Sequence, residues 1–125
     1  MVNEADNATL GRTILTTTKG RTLYSLSSET KGRFHCTGDC LASWRPLIVA
    51  AGVKPQGPVR LGTVKRPNGK IQVTYKGLPL YSFNGDVKSG EVNGEGLKDV
   101  GTWHAASVAQ VNPPPPTTEP PPYPY

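Results

Sequence analysis

One pattern is written twice in this chain, and that repetition constrains the fold more than any other feature. Lys19-Gly20-Arg21-Thr22-Leu23-Tyr24-Ser25-Leu26 and Lys76-Gly77-Leu78-Pro79-Leu80-Tyr81-Ser82-Phe83 both read Lys-Gly-x-x-Leu-Tyr-Ser-apolar. Each is followed by an acidic residue, Glu29 or Asp86, then a polar loop, then a tryptophan, Trp44 or Trp103. A short hairpin with its loop cannot bury an apolar face alone, so two copies are expected to bury theirs against each other. The repeats run over about 12–55 and 59–109. A pseudo-twofold arrangement follows, with Leu23, Leu26, Leu80, Phe83, Trp44 and Trp103 as its shared centre. Each carboxylate falls past its strand end, where it is expected to accept backbone N–H groups and fix the loop.

Composition agrees with strands and turns rather than helices. Of 125 residues, 14 are Gly and 13 Pro, and only 35% are hydrophobic, leaving material for one small core. Strands are expected over Thr13–Thr18 and Thr22–Leu26, joined as a hairpin through Lys19-Gly20. A second hairpin spans Val59–Lys65 and Lys70–Tyr75, where Asn68-Gly69 supplies the two positive φ values of a tight turn. Further strands are expected over Leu78–Phe83, after a turn at Lys76-Gly77, and over Thr102–Val108. The one short helix is read at Asp39–Trp44, with Asp39 as N-cap and Pro46 as its stop. Residues 1–11 read as a frayed lead-in. Residues 110–125, rich in proline, read as a polyproline-type stalk outside the domain of residues 12–109. The fold class is therefore mainly β: a small antiparallel sandwich or barrel-like domain from two pseudo-repeats with one short helix.

Tyr81-Ser82-Phe83-Asn84-Gly85-Asp86 resembles the Tyr-x-(Phe/Trp/Tyr)-x-x-Asp pattern of a family of bacterial secreted lipoprotein repeats of unknown function, which occur in tandem. The likeness extends through Cys36-Thr37-Gly38-Asp39-Cys40, Trp44-Arg45-Pro46-Leu47, Tyr75 to Leu80, Asn93-Gly94-Glu95-Gly96 and Trp103-His104, and covers about residues 12–108. In the first copy Leu26 stands where the second aromatic belongs, and Glu29 replaces the Asp that follows Tyr24. The resemblance implies an extracytoplasmic, surface-associated protein and carries no established reaction. The cysteine expected to carry lipid at the mature N-terminus of such proteins has no counterpart here, so lipid anchoring is not expected.

Candidate chemistry is thin. Cys36 and Cys40 are the only cysteines, and in a small exported domain they are expected to form a disulfide; their spacing fits neither Cys-x-x-Cys redox motifs nor zinc knuckles. Asp86, Glu91, Asn93, Glu95 and Asp99 lie among glycines and form a weak candidate set for a hard cation, with an ordinary solvated loop as the competing reading. His35 and His104 are the only histidines, and no nucleophile elbow or phosphate-cradling loop occurs.

Fourteen Lys and Arg against nine Asp and Glu give a net charge of +5, which raises the question of an anionic partner such as nucleic acid or cell-wall polymer. The basic residues are scattered, with Lys65-Arg66 the one adjacent pair, so nucleic acid is disfavoured. No apolar run is long enough to cross a bilayer. The expected function is a non-enzymatic secreted or cell-surface domain without a cofactor. Its expected partners are other envelope proteins, or further copies joined at strand edges. An extracellular metal, small-ligand or redox-centre protein is the alternative, and an envelope-polymer hydrolase the third reading.

Overall fold

Two short turns show how local sequence sets the register. In the computed structural model, which describes residues 1–29, 33–98 and 101–108, strands β6 (Leu61–Lys65) and β7 (Ile71–Tyr75) form an antiparallel hairpin. Its loop differs from the expected one, because only Gly69 has a positive φ, of 86°. The Gly69 N–H donates to the Arg66 carbonyl at 2.9 Å and the Arg66 N–H to the Lys70 carbonyl at 2.8 Å. Pro67 and Asn68 therefore occupy an ordinary tight turn, and glycine takes the left-handed position after it. The turn with two positive φ values is instead Lys76-Gly77, at 52° and 80°, joining β7 to β8 (Leu78–Pro79).

The remaining strands are β1 (Val2–Asn7), β2 (Arg12–Thr17), β3 (Leu23–Leu26), β4 (Trp44–Pro46), β5 (Ile48–Val49), β9 (Tyr81–Phe83) and β10 (Trp103–Ala105). They form a β1-β2 pair, a four-stranded sheet β10-β3-β9-β4 and a second sheet of β5-β7-β6 with β8 on β7, all antiparallel. The fold is mainly β and no closed barrel forms among the described residues. The chain changes sheet at Leu47 and Leu80, where the Leu47 N–H donates to the Leu80 carbonyl at 2.9 Å. Ala106 turns a third corner, linking Leu15 and Leu23 by backbone hydrogen bonds of 2.8 Å each.

Three expectations are corrected. Within residues 1–11, Val2–Asn7 is not frayed: it pairs with β2 along its whole length, and Val2 is buried beside Leu15. Apolar content is low there because an edge strand needs only its end residues inside, and its burial pattern is buried at Val2 and Asn7 alone. Strands β2 and β3 are not a laddered hairpin; a single bridge, Thr16↔Thr22, joins them before β3 departs into the other sheet. The helix is a 3₁₀ turn over Gly38–Ala42, and Thr37 rather than Asp39 precedes it, without a side-chain cap. Seven residues lie between Cys36 and β4, too few to sustain an α-helix, and i→i+3 bonds suffice for the five that turn. The proline-rich stalk lies outside the described residues.

Side-chain alternation divides the core in two. Tyr24, Leu26, Trp44, Tyr81 and Trp103 bury one face of the β10-β3-β9-β4 sheet, with Phe83 packed against them. Leu23 and Leu80 point to the other face and join Val2, Leu15, Val49 and Val73. The expected single centre is thus two clusters, as a period of two requires.

Candidate functional site

The pseudo-twofold passes between Tyr24 and Tyr81. These residues stand directly opposite each other where β3 pairs with β9, so the Leu-Tyr-Ser stretches of the two copies run antiparallel at the centre of the sheet. The flanks repeat the symmetry with the copies exchanged. Trp103, His104 and Ala105 pair with Leu26, Ser25 and Tyr24, just as Trp44, Arg45 and Pro46 pair with Phe83, Ser82 and Tyr81. Each copy's tryptophan strand therefore lies on the other copy's tyrosine strand. Above them Trp44 and Trp103 stack at 3.7 Å and 7°. Tyr24 meets Trp44 edge-on at 5.2 Å and 82°, and Tyr81 meets Trp103 at 5.1 Å and 86°. Such pairs contribute about 0.5–1.5 kcal/mol each beyond their area.

The carboxylates complete the exchange. The Tyr24 hydroxyl donates to Asp86 Oδ2 at 2.5 Å, and the Tyr81 hydroxyl to Glu29 Oε1 at 2.9 Å. Each tyrosine thus holds the acidic residue of the opposite copy. The two carboxylates also gather the loops, as expected: Asp86 Oδ1 accepts the Asn93 N–H at 2.9 Å, while Glu29 Oε2 accepts those of His35 at 2.7 Å and Cys36 at 2.8 Å.

On the Asp86 carboxylate and the Tyr24 hydroxyl the remaining hydrogen-bond donors are backbone N–H groups, while Arg21 Nη1 donates to the Asp86 carbonyl at 2.6 Å. The Gly94 N–H donates to the Tyr24 oxygen at 3.2 Å, and a Cβ at Gly94 would stand 2.6 Å from Trp44, so only glycine lets the loop come this close. Burial raises the Asp86 carboxyl above its ordinary range, against the pull of the Tyr24 and Asn93 hydrogen bonds. Burial, with the Asp86 hydrogen bond, pushes the Tyr24 phenol well up. Around Glu29 there is a buried cation. Arg66, only 4% exposed, donates to the Tyr81 oxygen at 2.9 Å, to Gln72 Oε1 at 2.6 Å and to the Cys36 carbonyl at 2.8 Å, and lies 4.5 Å above the Phe34 ring. The Tyr81 phenol is pushed up to about 12, chiefly by burial, with the Arg66 hydrogen bond opposing it.

Residues 62–107 match the family model of a secreted repeat of unknown function. No curated protein and no solved structure matches the chain. The matched span covers most of the second copy, with Tyr81, Phe83, Asp86 and Trp103 inside it. The partners of that copy's Tyr81 and Asp86, namely Glu29 and Tyr24, lie outside the matched span. Each copy's clamp in this chain is completed by a residue of the other.

Cys36 and Cys40 are joined in a disulfide, their Cα atoms 5.1 Å apart, and no free cysteine occurs among the described residues. The candidate cation residues do not converge. Asp86 faces Tyr24, while Glu91 Oε1 accepts the Val87 and Lys88 N–H groups at 2.6 and 2.9 Å, which lower its carboxyl. Glu95 turns to the Ala105 N–H at 2.8 Å, His104 Nδ1 at 2.6 Å and Arg12 at 3.3 Å. The Asn93 N–H goes to Asp86 and its side chain to the Gly85 carbonyl and to Glu91, and Asp99 lies outside the described residues. No grouping of three or more metal-ligating side chains is present among the described residues. His35 Nδ1 lies 2.7 Å from Ser28 Oγ.

Sequence reading missed Arg66, Gln72 and Gly94. The only trace of the first two was a glutamine between Ile71 and Val73 on a strand, beside an arginine at a turn. Gly94 was visible as part of a Gly-rich loop but not as a contact for Trp44.

Proposed function

We propose that the chain is a non-enzymatic domain held at the cell surface, serving as a structural or interaction module of the envelope. One observation carries this reading: the motif's phenols and carboxylates are engaged with each other across the two copies, and the thiols with each other. Groups so engaged build a scaffold and leave the surface to do the work. The family's description as secreted and the disulfide both suit an oxidising, extracytoplasmic setting. No helix among the described residues is long and apolar enough to cross a membrane, which suits attachment through partners.

The test is the state of the protein in its own source. Fractionation and sizing are expected to recover it in an envelope assembly larger than one chain. A dissolved monomer, or a stoichiometric metal or chromophore in the purified protein, overturns the reading.

A further inference from the structure

A pocket of about 290 Å³ lies beside the Asp86 loop, lined by Arg21, Arg45, Ser82, Phe83, Asn84 and Asp86, with Val87 at its side. Two arginines line it from different segments, Arg21 just before β3 and Arg45 within β4, together with Ser82 and Asn84. The one acidic residue in the wall is already satisfied: its carboxylate accepts from Tyr24 and Asn93, and its carbonyl accepts Arg21 Nη1 at 2.6 Å. What the pocket offers a visitor is therefore donors and positive charge. Arg21 is also anchored by that carbonyl bond, so less side-chain entropy is lost when its free N–H groups engage a ligand.

The pseudo-symmetry supplies an independent argument. Arg45 pairs with Ser82 across the sheet, and the corresponding pair in the other copy is His104 with Ser25. Arg21 corresponds to Leu78 in the repeated pattern. The other copy therefore has neither guanidinium, and its His104 is held by Glu95 at 2.6 Å. The shared scaffold does not need arginine at these two positions, yet one copy carries both on one pocket.

We propose that this pocket binds an oxyanion, a carboxylate or phosphate group of an extracellular polymer or small molecule, through Arg21 and Arg45. A planar guanidinium matches either group with paired N–H···O bonds, and the Ser82 hydroxyl and Asn84 amide add neutral donors. The proposal deepens the interaction role given above and rests on it only for the source of the anion, since the pocket's own residues carry the chemistry.

The full chain, isotope-labelled, is titrated at constant ionic strength with sodium phosphate and separately with sodium acetate, following backbone amide signals. Saturable shifts confined to Ser82, Asn84, Val87 and their neighbours are expected, and whichever anion saturates first names the anionic group the pocket recognises. Arg45→Gln, at an exposed position, is expected to keep the folded spectrum and weaken binding about tenfold or more, the loss of a charge-assisted pair. Arg21→Lys keeps the charge without the fork and is expected to weaken binding less. Shifts that stay linear, that spread over all basic residues, or that survive Arg45→Gln unchanged overturn the proposal. Such a failure leaves the envelope assembly test standing, because that test reads partners rather than anions.

Discussion

The two tyrosine–carboxylate clamps are alike in geometry and different in charge. Tyr24–Asp86 is closed by backbone N–H groups of Asn93 and Gly94, and nothing cationic sits on its hydroxyl. Tyr81–Glu29 is closed by a buried arginine and by a loop that a disulfide ties off. In the first clamp the cost of burying a carboxylate appears as a raised proton affinity of Asp86. In the second a positive charge is buried with the negative one, and the Tyr81 hydroxyl bridges them. Repetition has kept the position of each group while the two copies diverged in how the charge is compensated. The stability of the second clamp should therefore depend on more residues, and its failures should be larger.

The largest expected effect follows directly. Arg66→Met removes the cation linked to Glu29 through the Tyr81 hydroxyl and strands Gln72 Oε1 and the Cys36 carbonyl, a loss of about 3–5 kcal/mol in urea unfolding. A loss below about 1 kcal/mol would mean that the two clamps are equivalent after all. Next comes the disulfide. Replacing Cys36 and Cys40 together by Ser should cost about 2 kcal/mol by the loop-closure argument, with the Glu29 loop loosening first. Hydrogen exchange at Cys36 and His35 would report that order. Protection lost first at Asn93 would place the disulfide's influence in the wrong clamp.

How much of this was legible beforehand depends on the range of the signal. The repeated Leu-Tyr-Ser, the Asp and Glu five residues on, and the Gly and Pro punctuation are local, and they yielded strands, loops and a mainly antiparallel fold. The exchange between copies was not legible, because Tyr24 and Asp86 are 62 residues apart and nothing in either stretch names its partner. Nor was β1: Asn3, Glu4 and Asp6 look like a solvated tail until β2 offers them a register. Arg66 was counted among scattered surface charges, since a buried cation differs from an exposed one only in its surroundings. The Asn68-Gly69 turn differs from its expected form for a related reason, as Pro67 fixes φ at the position where a two-residue turn would need strand backbone.

Phenylalanine at each tyrosine compares the clamps at a smaller scale. Tyr24→Phe removes the hydroxyl between the Asp86 carboxylate and the Gly94 N–H, one charged partner, with an expected loss at the low end of the range for such bonds, about 1.5 kcal/mol. Tyr81→Phe takes one hydroxyl from both a carboxylate and a guanidinium, and hydrogen bonds to charged groups are worth about 1.5–3 kcal/mol. Equal losses would contradict the asymmetry.

Alkaline titration gives the finest distinction. Tyr81 ionises near pH 10.0 when unfolded and about 12 when folded, so its contribution to stability is full below pH 10.0 and is lost as pH rises through about 12. Tyr24 is shifted in the same direction by burial and by Asp86, without an arginine to draw it back. Phenolate absorbance should therefore include a step near pH 12 from Tyr81, with Tyr24 ionising only as the fold opens. In Tyr24→Phe the last step should vanish and the Tyr81 step remain. If instead the step near 12 disappears in Tyr24→Phe, the arginine-backed clamp is the one that resists ionisation longer, and the division of charge between the two copies is the reverse of the one argued from Arg66.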